Sequence, residues 1–199
     1  MKPQTNQKAF STSAFSTIAF PIIALITLTI ATCLILYSQG RMWWSKSGEI
    51  QFWVNDAWSS ETSQQFADPY SFSHMQHGLL FFGLLYWLAP KLGVWWRLVI
   101  STGIEAAWEV LENSKLIIDR YREATAALGY EGDTIFNSFG DLVSCGLGFW
   151  LAYYLGFWKT VMLFVVVEIA MVLIIKDSLL LNVIMLIYPL DSIKAWQIS

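Results

Sequence analysis

Charge is what this chain has least of. Only 14% of its 199 residues are Asp, Glu, Lys or Arg, against about a quarter in a soluble domain. Too little of the sequence suits a surface that faces water. No basic run occurs and the net charge is −3, which excludes the positive footprint that nucleic-acid binding needs. Cysteine is nearly missing as well. Cys33 and Cys145 lie inside apolar segments at no metal-ligand spacing, and they read as small buried hydrophobes rather than a disulfide. Histidine is equally scarce, and both copies, His74 and His77, fall in one stretch, "SFSHMQHGLLFF" (71–82). There is no G-x-S-x-G, H-E-x-x-H or C-x-x-C, no glycine-rich phosphate loop, and no haem or flavin signature.

What is abundant is hydrocarbon. The chain is 56% hydrophobic, and its apolar runs approach the roughly 20 residues that carry a helix across a bilayer. Because lipid offers no partner to a free backbone group, such runs must be helices or a closed barrel. They lack a barrel's alternation, so the fold expected is an all-α, polytopic transmembrane helix bundle. It forms a single integral membrane domain over 1–199 with about five spans, at 17–38, 72–90, 94–113, 134–156 and 159–176. Pro90 and Gly93 separate the second from the third, and Gly156 the fourth from the fifth. The first run contains "IATC" (30–33), which resembles a lipoprotein processing site. Thr32 is a poor residue there and the apolar run continues, so an uncleaved anchor is expected. Residues 39–71 carry Trp43, Trp44, Trp53 and Trp58 and read as an interfacial loop lying along the membrane surface. The tail 178–190 is too short to cross and reads as a re-entrant or interfacial segment.

The short basic leader with Lys2 and Lys8 favours an N-terminus inside. The twelve basic residues, counted by segment with these two included, divide five inside against seven outside and weakly oppose it. Either way, the start of the second span, the end of the third and the start of the fourth share one membrane face. With the N-terminus inside, that face is the non-cytoplasmic one.

Polar residues gather at that face. Glu105, Glu109 and Glu112 stand at i, i+4 and i+7, an arc of roughly 60° over about 10 Å of helix. Asp133, Asn137 and Asp141 form a second stripe at i, i+4 and i+8. An ionised side chain in mid-span costs about 2.5–3.5 kcal/mol on insertion scales and is usually paired and functional. Two imidazoles with several carboxylates suit a divalent metal such as zinc or manganese. The metal ligands expected are His74, His77, Glu109 and Asp141. The catalytic acid–base or ligand groups expected are His77, Glu105, Glu109 and Asp141, with Asn137 orienting substrate. Blander roles compete: Glu112 reaching the headgroups, His77 as a packing residue, and Asp133 as the cap of the fourth span. Lys115, Arg120 and Arg122 are offered as rim groups that bind substrate through a lipid phosphate. Alternatively they are ordinary solvated charges paired with Asp119 and Glu123.

Several stretches carry a family resemblance: "SSETSQQFADPYSFSHMQHG" (59–78), "EAAWEVLEN" (105–113), "RYREAT" (120–125), "GYEGDTIFNSFGDL" (129–142) and "LNVIMLIYPLDSIKAWQ" (181–197). On these the chain closely resembles a family of small bacterial inner-membrane proteins catalogued as a domain of unknown function, from about Gly40 almost to the C-terminus. More loosely, the order histidine–glycine, glutamate pair, then "GD…N…D" looks like the VanZ-type membrane proteins. The first resemblance implies no activity. The second implies only an envelope or lipid-related setting in the bacterial inner membrane.

Three functions are compatible with these residues. One is a metal-assisted hydrolase or transferase on a lipid or lipid-linked substrate. Another is a binding or transport component for a proton, cation or amphiphile. The third is an assembly factor whose polar stripes only join its own helices, a use that is weakly rewarded at about 0.6 kcal/mol per contact.

Overall fold

The computed structural model describes residues 6–125 and 129–199, with side chains from Thr17 onward. Lys2, and the side chain of Lys8, on which the orientation argument drew, therefore lie outside the described residues. Among the described residues there is helix and no strand. Eight helices follow one another: α1 (Asn6–Ser38), α2 (Ser71–Leu88), α3 (Val94–Glu112), α4 (Lys115–Ala124), α5 (Ile135–Leu155), α6 (Phe157–Ile175), α7 (Leu179–Ile187) and α8 (Asp191–Ile198).

Among the described residues three helical stretches are long and apolar enough to cross a membrane: Thr17–Ser38 within α1, then α5 and α6. The sequence suggested five. The other two, α2 and α3, have 18 and 19 residues but contain both histidines, Gln76 and the three glutamates. The groups that build the site are what lower the apolarity of the helices that present it.

α5 is the central element, with 56% of its apolar window buried, against 11% in α1 and 17% in α6. The peripheral helices instead turn large side chains outward, including Ile23, Ile26 and Leu34 on α1 and Leu173 and Ile174 on α6. Outward-facing apolar surface of this extent suits lipid.

α2 packs directly on α5 because glycines remove the side chains between them. A β-carbon at Gly78 would fall 1.9 Å from the Cys145 carbonyl oxygen, and one at Gly148 would fall 1.9 Å from that of Met75. Both are impossible contacts, so glycine at these positions is what lets the two backbones meet. Small residues play the same part in membrane helix packing generally, where apolar lipid offers no hydrophobic drive to association.

The connector 39–71 departs from expectation. Its tryptophans are exposed, as an interfacial loop requires, but residues 63–68 plunge inward, and Gln65 and Asp68 are almost wholly buried. The Thr134 amide donates to the Ser63 carbonyl at 3.0 Å, the Ile135 amide to Met42 at 2.8 Å and the Phe136 amide to Trp43 at 3.1 Å. The first amides of a helix have no partner within it, and the loop supplies them for α5. Gly140 makes room for this descent, since a β-carbon there would lie 1.7 Å from the Phe66 carbonyl oxygen. The tail forms the short helices α7 and α8, and α7 is far too short to span, as expected.

Candidate functional site

Side chains from α2, α3 and α5 meet at one end of the bundle, beneath the 63–68 descent. Both histidines stand in the first two turns of α2, and Glu105 and Glu109 sit one turn apart on the inward face of α3. His74 Nδ1 lies 2.6 Å from Glu105 Oε1, and His77 Nδ1 lies 2.9 Å from Glu105 Oε2. One fully buried carboxylate thus joins both imidazoles. His74 also stands 3.3 Å from Glu109 Oε1, and its Nε2 is 3.8 Å from Asp141 Oδ2 on α5. Asp141 in turn accepts a 3.0 Å bond from the Ser71 hydroxyl. Phe81 stacks on His77 and Trp108 meets it edge-on.

Glu109 is the anomaly. It is fully buried, yet neither carboxylate oxygen has a hydrogen-bond partner. His74 Nδ1 approaches to 3.3 Å without the alignment of a hydrogen bond. One oxygen of Glu112 is likewise enclosed and unpartnered, with the Tyr121 hydroxyl beside this residue. Among the described residues no lysine or arginine pairs with Glu105, Glu109 or Asp141. Desolvated carboxylate of this density needs cationic compensation, and two imidazoles are a small supply.

Two groups have metal-binding proximity, with one ligand atom from each member within 4.8 Å of the others: His74–His77–Glu105 and His74–Glu109–Glu112. The expected set of His74, His77, Glu109 and Asp141 is therefore redistributed. Asp141 belongs to neither group, while Glu105 and Glu112 enter. Glu112 lines the cleft instead of reaching for headgroups.

The cleft in front of these residues encloses about 900 Å³. The hydroxyl-rich segment 58–63 and Tyr130 form part of its wall, and Leu179, Val183 and Leu186 of α7 give it an apolar side. Asp133 also lines it, but it is not the α5 cap: Thr134 accepts the Asn137 amide. Asp133 is held by the Asn113 amide at 2.8 Å and the Tyr130 hydroxyl at 3.0 Å. Burial pushes its carboxyl above the usual range despite those bonds. Burial likewise raises Asp68, against the Ser63 and Tyr70 amides that it accepts. Asp177, at the end of α6, is pushed up to about 6 by burial, partly offset by the Ser178 amide and the Tyr70 hydroxyl.

Other expected site residues have structural uses. Asn137 lines the cleft, but its amide donates to the Gln65 carbonyl at 2.8 Å and so fastens the descending loop. Arg120 and Arg122 are absent from the cleft wall. Arg120 donates to the Leu186 carbonyl at 2.9 Å and also to Ile187, at the C-terminal end of α7, and Arg122 donates to the Tyr130 carbonyl at 2.5 Å. Arg120 thus spends its reach from α4 on two main-chain oxygens, while Arg122 holds one through Nε.

Sequence reasoning passed over Asp68, Ser71 and Glu168. "DPYS" (68–71) is a turn signature that could have drawn attention to the first two. Glu168 is the single acid within α6, and Gln76 donates to it at 3.0 Å.

The family model described as protein of unknown function (DUF2585) matches residues 36–199. A UPF0314 protein of Sphingopyxis alaskensis is 44% identical over 82% of this chain and 87% of its own length. One from Paracoccus denitrificans is 43% identical over 75% of this chain and 78% of its own. The chain also resembles the UPF0314 protein NGR_c32320 of Sinorhizobium fredii, 43% identical over 82% and 83%. No solved structure matches it.

Proposed function

This chain belongs to the DUF2585 family, whose description sets no reaction, and from the site's chemistry we propose a metal-dependent hydrolase or transferase acting on a lipid or lipid-linked substrate. The observation that carries this reading is the fully buried Glu109 carboxylate with both oxygens unpartnered beside His74 and Glu112. A zinc or manganese ion held by His74, Glu109 and Glu112 supplies the missing charge. An ion held by these residues would supply Lewis-acid chemistry, for polarising a substrate oxygen or activating water. Glu105, bonded to both imidazoles, orients them, a carboxylate–histidine arrangement typical of metal sites. His77 and Asp141 are the acid–base groups of this reading. The cleft joins a polar end to the apolar α7 wall, which suits an amphiphile.

In this proposal α2 and α3 also cross the membrane, their polar faces turned inward and covered by α5, which makes five spans in a bacterial inner membrane. The cleft opens on the non-cytoplasmic side.

The direct test is metal content of the purified protein after supplementation with zinc or manganese. Wild type is expected to hold a stoichiometric ion, and His74→Ala and Glu109→Ala to lose it while keeping their elution volume. Wild-type protein without bound metal sinks the proposal.

A second reading is favoured by one feature, the chain of hydrogen bonds His77–Glu105–His74. Such a chain can pass a proton, which suits coupled transport. Proton flux in proteoliposomes that is abolished by Glu105→Gln, with no metal bound, would establish it instead.

A further inference from the structure

Behind the acidic cleft lies a second cavity, of about 460 Å³, with the opposite character. The two share a wall. Asn113 faces the second cavity, while its side chain both donates to and accepts from Asp133, which faces the first. Arg41, Lys115 and Arg122 line the second cavity together with Asp119 and Glu131. Both acids are already answered: Asp119 pairs with Lys115, and Glu131 pairs with Lys46. The two arginines form no direct ion pair among the described residues, although the Glu131 carboxylate, held chiefly by Lys46, also feels the charge of both.

Their positions are fixed by the loop that joins α4 to α5. Arg41 Nη1 donates to the Glu131 carbonyl, and Arg122 Nε donates to the Tyr130 carbonyl. Two guanidinium groups are thus anchored on carbonyls of adjacent residues, so they face one cavity side by side. Arg41 Nε is enclosed there without a partner. Gly132 is what admits Arg41, because a β-carbon at that position would lie 2.2 Å from Nη1. A planar guanidinium presents its donors in a fork that matches tetrahedral oxyanions, and paired forks with a lysine at the rim match phosphate.

Location selects the source of that phosphate. α1, the most outward-facing of the membrane-crossing helices, ends at Ser38, three residues before Arg41. A cavity at that height stands among headgroups. Basic pockets between helices at this level are suited to anionic lipid. We propose that Arg41 and Arg122 clamp the phosphate of an anionic phospholipid, at a site separate from the acidic cleft and backing directly onto it. The site is independent of any metal in the cleft.

The experiment is native mass spectrometry of the full chain in neutral detergent, titrated in parallel with phosphatidylglycerol, phosphatidylcholine and inorganic phosphate. Wild type is expected to retain one phosphatidylglycerol in preference to phosphatidylcholine. Retention is expected to fall roughly fivefold for each of Arg41→Gln and Arg122→Gln. Arg122→Lys keeps the charge without the fork and should fall between, which keeps the test open if a Gln variant misfolds. Lys91→Gln, at the opposite end of the bundle, should retain lipid like wild type. Equal retention of the two lipids, or indifference to both arginine substitutions, overturns the proposal. Displacement of phosphatidylglycerol by millimolar inorganic phosphate overturns it too, by making the ligand a soluble anion.

Discussion

At the scale of single residues, Glu109 and Asp177 make separable predictions. A carboxylate buried without partners costs stability unless a cation answers it. Glu109→Met keeps the approximate volume and removes the charge. It should raise the stability of metal-stripped protein by about 1–3 kcal/mol and abolish the thermal shift that added zinc or manganese gives wild type. Thermal melts with and without chelator report both effects. A lower melting temperature for the stripped variant would mean that Glu109 serves the fold rather than an ion. Asp177 behaves differently, because its pKa of about 6 lies above the value of an unfolded chain, about 3.9. The folded state therefore binds the proton more tightly, and Asp177's contribution to stability is full below pH 4 and lost as pH rises to 6. Asp177→Asn should remove a decline over that window on the order of 2–3 kcal/mol, leaving the curve above pH 7 parallel to that of wild type. Denaturant midpoints between pH 4 and 8 would show it.

At the scale of elements, the contact of α2 with α5 rests on glycine. Gly78→Ala puts a methyl group into the Cys145 carbonyl, and separating the helices should cost about 1–3 kcal/mol. Gly146→Ala, with nothing within 4 Å of the new methyl, should be neutral or stabilising by up to about 1 kcal/mol. Comparable melting temperatures for both variants would refute this account of the packing. The short α4 and α8 carry no unbroken apolar run and were not foreseen. Helices α2, α3, α5 and α6 were legible in the sequence to within a few residues, because such runs and the punctuation at Pro90, Gly93 and Gly156 are local signals. So was the convergence of His74, Glu105, Glu109 and Asp141, because helical spacing and span parity settle which end each side chain occupies. Partner choice was not legible. Whether Asp141 or Glu112 completes a ligand group depends on helix rotation, which is set by contacts such as Gly78 on Cys145 that no spacing rule encodes. The inward path of residues 63–68 was hidden for a similar reason. Gln65 and Asp68 read as surface polar residues until the amides they satisfy are known.

At the scale of the whole molecule, the proposed five-span arrangement predicts sidedness. Single cysteines replacing Lys46 or Lys115 should react with an impermeant thiol reagent from one side of the membrane. Those replacing Lys91 or Lys159 should react only from the other, in a Cys33→Ser background with Cys145 buried. Labelling of position 91 from the same side as 46 and 115, with 159 still reached only from the other, would remove α2 and α3 from the membrane. The attachment of the 39–71 connector to the head of α5 has a further effect, on the timing of biogenesis. Met42, Trp43 and Ser63 leave the ribosome some seventy to ninety residues before the amides of 134–136 that they must receive. Until α5 has formed, these carbonyls lack the amides they accept in the finished fold, so the connector of a nascent chain is expected to stay open to protease until its later half is made.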